Sequence, residues 1–112
     1  MPRNREALAW LRANYMKPFS LDELASVARV GISTLNHRFR AATSLSPLQY
    51  QKQLRLTGAR ERMLVEGLDA TQAALEVGYG SASQFTREYK RLFGEPPMRD
   101  VRARLAGWFV RR

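Results

Sequence analysis

Residues 82–97 read ASQFTREYKRLFGEPP, and residues 32–47, fifty positions earlier, read ISTLNHRFRAATSLSP. The two stretches carry the same kinds of residue at matching positions. Ser33, Leu35, Phe39, Arg40 and Pro47 correspond to Ser83, Phe85, Tyr89, Lys90 and Pro97. An internal repeat of this kind indicates two copies of one structural unit.

A shorter apolar segment precedes each copy. Residues 24–30 read LASVARV and residues 73–79 read AALEVGY, and glycine follows each segment at Gly31 and Gly80. A short helix, a turn that contains glycine and a second helix with one charged face form the helix-turn-helix pattern. The sequence therefore predicts two helix-turn-helix units in tandem.

The chain is predicted to be all-α, because its long periodic stretches have the helical period and none alternates as a strand does. The spacing of a capping box marks four helix starts. These pairs are Ser20 with Glu23, Ser46 with Gln49, Asp69 with Gln72, and Ser81 with Gln84. Together with breaks at glycine and proline, they predict seven helices over residues 4–16, 21–29, 32–43, 47–65, 70–77, 82–92 and 97–107.

The fourth helix is expected to link the two units. Its apolar residues lie on different sides in its two halves, as expected of a helix that packs against a different unit at each end. Nineteen residues (47–65) span about 28 Å, which is close to the roughly 34 Å between successive major-groove faces of B-DNA. We expect one domain over residues 1–112, with a first subdomain (1–45), a linker helix (46–66) and a second subdomain (67–112).

The composition favours a polyanionic partner. The net charge is +9, and sixteen of the 19 basic residues are arginines, whose planar fork suits phosphate oxygens and guanine edges. Cysteine is absent, the acidic residues are scattered, and no nucleophile has a base partner. We therefore expect no catalytic site, no metal site and no cofactor. No apolar run approaches the roughly 20 residues that cross a bilayer, so a cytoplasmic protein without a membrane role is expected.

Several segments resemble the DNA-binding domain of AraC/XylS-type transcription regulators. They are residues 32–43, 46–50 (SPLQY), 54–56 (LRL), 77–79 (VGY) and 84–97 (QFTREYKRLFGEPP). The resemblance covers both units and the linker, and it implies a homeodomain-like tandem fold. Thr43-Ser44 departs from the usual Thr-Gly. The resemblance does not extend to the sensory domain that most members of the family carry on the N-terminal side. We expect the C-terminal part of a longer effector-responsive regulator; the alternative is a stand-alone regulator.

Recognition in the first unit is expected on the helix over residues 32–43. Removing its core positions, Leu35 and Phe39, leaves a polar face, and the family pattern places base contacts at Ser33, Asn36 and His37. The amide of Asn36 suits adenine. His37 suits a guanine acceptor or a phosphate, or is simply a solvated residue. Arg38 and Arg40 are expected to hold phosphates, and the alternative for both is a solvated helix face.

Recognition in the second unit is expected on the helix over residues 82–92. With Phe85 and Tyr89 in the core, Arg87 is the expected guanine reader and Gln84 the adenine reader. Gln84 has the alternative of completing a cap with Ser81. The remaining expected base contacts are Ala82, Ser83 and Thr86, and the expected phosphate contacts are Lys90 and Arg91.

These assignments predict a sequence-specific regulator that places two helices in adjacent major grooves of double-stranded DNA. The alternative is a non-specific architectural nucleic-acid-binding protein. RNA polymerase is a candidate second partner through Glu76, Glu88 or surface arginines. We expect a monomeric isolated domain at the nucleoid and allow a dimer for a full-length protein. Trp10 and Trp108 are expected in the core, and the role of Arg55 on the linker is open.

Overall fold

A computed structural model describes residues 2–110 of the chain, with side chains for residues 5–107. Within these residues the structure contains helices and no strand, so the predicted all-α fold is confirmed. The seven helices are α1 (Pro2–Asn14), α2 (Leu21–Ala28), α3 (Ile32–Thr43), α4 (Pro47–Glu61), α5 (Ala70–Glu76), α6 (Ala82–Phe93) and α7 (Pro97–Val110). Helices α2 to α7 each begin at the predicted residue.

Complete capping boxes explain three of these starts. Ser20 Oγ accepts from the Glu23 N–H at 3.0 Å, and the Glu23 carboxylate accepts from the Ser20 N–H at 2.9 Å. Asp69 and Gln72 exchange the same two bonds at 2.8 and 3.1 Å, and Ser46 and Gln49 do so at 3.2 and 2.9 Å. Each box satisfies two backbone N–H groups that a helix start leaves without a partner. Three of the four predicted capping boxes are therefore confirmed.

The end of the linker helix differs from the prediction of one α-helix over 47–65. The α-helical hydrogen bonding of α4 stops at Glu61, and Arg62–Glu66 form a π-helical turn. This wider turn closes at Gly67, whose N–H donates to the Arg62 carbonyl from a left-handed backbone with φ of +74°. Glycine adopts that conformation without a Cβ clash. The apolar period of the sequence did not distinguish the two kinds of helical turn.

Two compact units divide the chain between Leu54 and Arg55, within α4. The core of the first unit joins α1, α2 and α3. Its buried members are Ala7, Leu11, Leu24, Ala25, Ala28, Leu35 and Phe39. Trp10 packs against this core and meets Phe19 edge to face at 6.0 Å, which agrees with the expected structural role. The Trp108 side chain lies outside the described residues.

The second unit has a core of its own. Its buried apolar residues come from the end of α4, the π-helical turn, α5, the turn after α5, α6 and α7. They are Leu56, Ala59, Met63, Ala73, Ala74, Val77, Tyr79, Phe85, Tyr89 and Val101. The small Ala73 and Ala74 let α5 lie close to α6, where Phe85 is 1% exposed. Each unit thus buries one side of its second helix, α3 or α6, and leaves the other side to solvent.

Candidate nucleic-acid interface

The turn of the first helix-turn-helix fixes where α3 begins. Arg29 ends α2 with φ of +59°, in the left-handed region, and the Val30 N–H donates to the Ala25 carbonyl at 3.1 Å. This region is uncommon for a residue with a Cβ, so the turn holds Arg29 against a local backbone preference. Gly31 follows in extended conformation as the N-cap of α3.

The second turn repeats this geometry 49 residues later. Gly78 occupies the left-handed position with φ of +102°, and the Tyr79 N–H donates to the Ala74 carbonyl at 2.9 Å. Gly78 therefore corresponds to Arg29, and Tyr79 to Val30. The same hydrogen bond therefore closes both turns, and the second turn contains one more residue before its helix, because α6 begins 50 residues after α3. The predicted repeat is a structural repeat.

Helix α3 exposes the polar face predicted from the sequence. Leu35 and Phe39 are each 3% exposed and lie in the core of the first unit. The polar side chains of the helix around these two residues divide into two groups. Ser33, Thr34, His37 and Arg40 are exposed, whereas Asn36 and Arg38 are half-buried. Asn36 and Arg38 therefore lie at the flank of the exposed face, and their side chains must extend from it to reach a ligand.

Helix α6 has the same division. Phe85 and Tyr89 are buried, and five residues of the opposite side line a shallow surface depression. These residues are Ala82, Ser83, Thr86, Arg87 and Lys90. Gln84 and Arg91 are exposed beside it. All seven were predicted from the sequence as contacts of the second unit, and the fold brings the five that line the depression together.

Gln84 does not complete a cap with Ser81. Ser81 Oγ accepts from the Gln84 N–H at 3.2 Å, but the Gln84 side chain turns along the helix instead and donates from Nε2 to Oε2 of Glu88 at 3.1 Å. The fourth predicted capping box is therefore wrong in its second half. In a complete box the Gln84 oxygen would accept from the Ser81 N–H. The amide instead donates its nitrogen to a carboxylate one helical turn away, and a hydrogen bond to a charged acceptor is stronger than one between neutral groups.

Glu88 is held from its other side by Tyr79. The Tyr79 hydroxyl donates to Oε1 of Glu88 at 2.6 Å, and its ring meets Phe85 edge to face at 5.3 Å. Burial and the bond to Glu88 raise the pKa of the Tyr79 hydroxyl well above its usual range. The guanidinium of Arg55 donates to the Gly78 carbonyl at 3.3 Å. Burial lowers the pKa of Arg55, while the fields of Tyr79 and Glu88 oppose that shift.

The two exposed faces are strongly basic. Helix α3 has no acidic residue, and the only one in α6 is Glu88, whose carboxylate is engaged by Tyr79 and Gln84. The basic side chains on these helices are Arg38, Arg40, Arg87, Lys90 and Arg91. A face of this kind attracts an anionic polymer and offers several donors to it. Among the described residues, no group of three or more acidic or histidine side chains is placed to hold a metal ion.

A buried polar cluster fixes the far end of α6. The Tyr89 hydroxyl donates to Oδ2 of Asp100 at 2.6 Å, and Nε of Arg60 lies 3.2 Å from the same oxygen. Nε of Arg104 donates to Oδ1 of Asp100 at 3.0 Å. The Arg60 guanidinium also stacks 3.5 Å above the Phe93 ring. The cluster was not predicted from the sequence, because Arg60, Tyr89 and Asp100 are far apart along the chain and only Asp100 and Arg104 have helical i,i+4 spacing.

Relatives among known proteins match most of the chain. Residues 24–103 match the family described as Helix-turn-helix domain. The transcriptional activator RhaS of Yersinia pestis is 31% identical over 100 residues, which cover 89% of this chain and 36% of RhaS. The transcriptional regulator GbdR of Pseudomonas aeruginosa is 34% identical over 101 residues, which cover 90% of this chain and 27% of GbdR. The chain thus spans about a third of the length of these curated relatives.

Solved structures share the fold. A transcriptional regulator of Chromobacterium violaceum with an AraC-type DNA-binding domain aligns with a TM-score of 0.85 and 27% identity, covering 92% of each chain. The DNA-binding domain of AdpA, solved with a target DNA, aligns with a TM-score of 0.82 and 24% identity, covering 92% of this chain and 93% of that one.

The repeated turn, the two exposed basic helices and the alignments define a tandem helix-turn-helix domain. The chain belongs to the AraC family of helix-turn-helix transcription regulators. No helix in the described part of the chain is at once long and apolar enough to span a bilayer.

Proposed function

We propose that this domain binds specific sequences of double-stranded DNA and regulates transcription by placing α3 and α6 in two adjacent major grooves. The observation that carries the proposal is the matched pair of faces. In each unit the second helix buries two large apolar residues and exposes a polar, basic side to solvent. Membership in a family of transcription regulators supports it independently. The relatives are regulators, and the proposal gives the domain no catalytic role.

Base recognition in the second unit is assigned to the face of α6. A guanidinium can donate two parallel bonds to N7 and O6 of guanine, and the amide of glutamine can pair with N7 and N6 of adenine. Arg87 and Gln84 are therefore assigned these contacts. Ala82, Ser83 and Thr86 complete the base-contacting face, with the methyl groups of Ala82 and Thr86 available to a thymine methyl. Lys90 and Arg91, further along α6, are assigned to phosphates.

Base recognition in the first unit is assigned to Ser33, Asn36 and His37. The amide of Asn36 is suited to adenine and the imidazole of His37 to a guanine acceptor. Arg38 and Arg40 hold the backbone phosphates that set the register of α3. Since the two helices carry different side chains, one domain recognises an asymmetric site. Access to both grooves bends the duplex, which a comparison of the bend angle of free and bound DNA would test.

The relatives are about three times as long as this chain, and the names of RhaS and GbdR describe a transcriptional activator and a transcriptional regulator. We propose that the domain works as the C-terminal part of a longer effector-responsive regulator in the cytoplasm, at the nucleoid. The isolated domain acts as a monomer and the longer protein as a dimer. RNA polymerase is its proposed second partner. Of the acidic candidates for that contact, Glu76 is the more accessible, because it is exposed although it pairs with Arg62, whereas Glu88 is half-buried and bonded to Tyr79 and Gln84.

The direct test is selection of bound duplexes from a random library, followed by titration of the selected site at rising salt. We expect a motif with two short elements about one helical turn apart. We also expect tighter binding to that motif than to scrambled DNA, by about 10³-fold or more. An architectural protein would instead give no motif and an affinity that depends only on salt.

A further inference from the structure

The side chain of Gln84 is restrained before any DNA is present. Its Nε2 donates to Glu88 across one turn of α6, at 3.1 Å. Oxygens of a carboxylate only accept hydrogen bonds, so the amide must turn its nitrogen and not its oxygen toward Glu88. The orientation of the Gln84 amide therefore follows from the chemistry of its neighbour.

Glu88 is itself fixed by the interior of the second unit. Its other oxygen accepts the 2.6 Å bond from Tyr79, a residue that is 6% exposed and packs its ring on Phe85. The positive charge of Arg55 acts on both Glu88 and Tyr79. The chain of contacts runs from the buried Tyr79 through Glu88 to the exposed Gln84. Rotation of the Gln84 amide would therefore break this hydrogen bond, because Glu88 is held in place by Tyr79 and cannot follow the amide.

This restraint changes what Gln84 offers to a base. A free glutamine amide has two N–H donors and one acceptor oxygen. With one N–H given to Glu88, Gln84 keeps one donor and one acceptor. The major-groove edge of adenine presents one acceptor, N7, and one donor, N6–H, whereas guanine presents two acceptors, N7 and O6. The restrained amide matches adenine and has too few donors for two bonds to guanine.

We propose that Glu88 is a positioning residue that restricts Gln84 to adenine, with Tyr79 as its anchor. This inference rests on the proposed function, since it requires α6 to lie in a major groove. The negative charge of Glu88 by itself would weaken binding to every DNA sequence, because a carboxylate repels phosphates. The proposed role in base discrimination comes instead from its hydrogen bond to Gln84. A simple helix-stabilising pair would shift the affinity for every DNA sequence by the same factor. A positioning role changes the preference between two bases.

The test compares affinities for two duplexes that differ only at the base pair assigned to Gln84. That base pair is first located on the selected site as the one whose preference disappears in Gln84→Ala. The readout is the ratio of dissociation constants for adenine and guanine at this position. We expect Glu88→Ala to lower the preference for adenine about fivefold or more, the lower end of what one bidentate contact contributes.

Two further variants separate positioning from other effects. Tyr79→Phe keeps the ring against Phe85 but removes the hydroxyl, and we expect it to lower the same ratio by a smaller factor. Glu95→Ala removes an equal charge from an exposed residue paired with Arg99 and leaves the ratio unchanged. In the Gln84→Ala background, Glu88→Ala has no further effect on the ratio. Circular dichroism confirms that each variant is folded.

Distinct results overturn the inference and the proposed function. An unchanged ratio in Glu88→Ala, an equal loss in the Gln84→Ala background, or no base preference attributable to Gln84 overturns the positioning role while specific binding stands. The absence of any selected motif with the unsubstituted chain overturns the proposed function itself.

Discussion

The hydroxyl of Tyr89 donates a 2.6 Å hydrogen bond to the carboxylate of Asp100, and the two side chains are buried at 0% and 7% exposure. The repeat places Phe39 and Tyr50 at the matching positions of the first unit, where the rings meet edge to face at 5.4 Å. One pair of positions thus joins the second helix of each unit to the helix that follows it. The first unit uses an apolar contact for this purpose and the second a charged hydrogen bond.

Removing the Tyr89 hydroxyl should destabilise the protein. Tyr89→Phe keeps the ring between Phe85 and Phe93 but takes one donor from a buried carboxylate, and such a loss costs about 1–3 kcal/mol. Tyr50→Phe is the matched control, since Tyr50 contributes its ring to the core, and we expect a change within about 0.5 kcal/mol. Urea denaturation measures the free energy of unfolding of both variants. Equal free energies of unfolding for the two variants would contradict this account of Asp100.

Alkaline pH should weaken the second unit through the same residue. Burial, followed by the bond to Asp100, raises the pKa of Tyr89 to about 12, above its ordinary value of 10.0. The folded state then holds the Tyr89 proton more tightly than the unfolded state. Its contribution to stability is complete below pH 10 and is lost as pH rises from about 10 to about 12.

Thermal melting across this range, followed by circular dichroism, measures the effect. The melting temperature of Tyr89→Phe should fall less steeply with pH than that of the unsubstituted chain. Parallel curves for the two proteins would show that Tyr89 does not carry the alkaline dependence.

The N-cap of α5 should matter more than its exposed position suggests. This helix has only seven residues, and Asp69 Oδ1 accepts from the Gln72 N–H at 2.8 Å. Asp69→Ala leaves that N–H without its cap and should cost about 1 kcal/mol, within a range of about 0.5–2. Asp69→Asn keeps an acceptor and should retain most of the stability. Denaturant midpoints that rank Asn with Ala would contradict the capping role.

Local chemistry made most of the backbone predictable. Ser20, Asp69 and the Ser46-Pro47 pair fix helix starts through contacts within four residues, so their sequence spacing is sufficient. The π-helical turn at Arg62–Glu66 was not predictable in this way, because its apolar positions fit an α-helical period as well.

The faces of α3 and α6 followed from subtracting the core positions, since Leu35, Phe39, Phe85 and Tyr89 are indeed buried. The hydrogen bonds that fix the side chains of α6 could not be predicted from the sequence. Tyr89 meets Asp100 only after α6 and α7 pack, and Glu88 meets Tyr79 only after the second turn closes. The sequence offered Gln84 a base contact or a cap with Ser81, and its hydrogen bond to Glu88 was not predicted.

The central claim, that α3 and α6 both contact bases, is tested most directly by repeating the duplex selection with Asn36→Ala and Arg87→Ala. Each substitution should relax the preference in one of the two elements and leave the other intact, at a cost of about 1–3 kcal/mol in binding. Arg40→Ala, which removes a proposed phosphate contact, should weaken binding to all sequences and reduce its salt dependence. A selected motif that neither Asn36→Ala nor Arg87→Ala changes would contradict base recognition by these two helices.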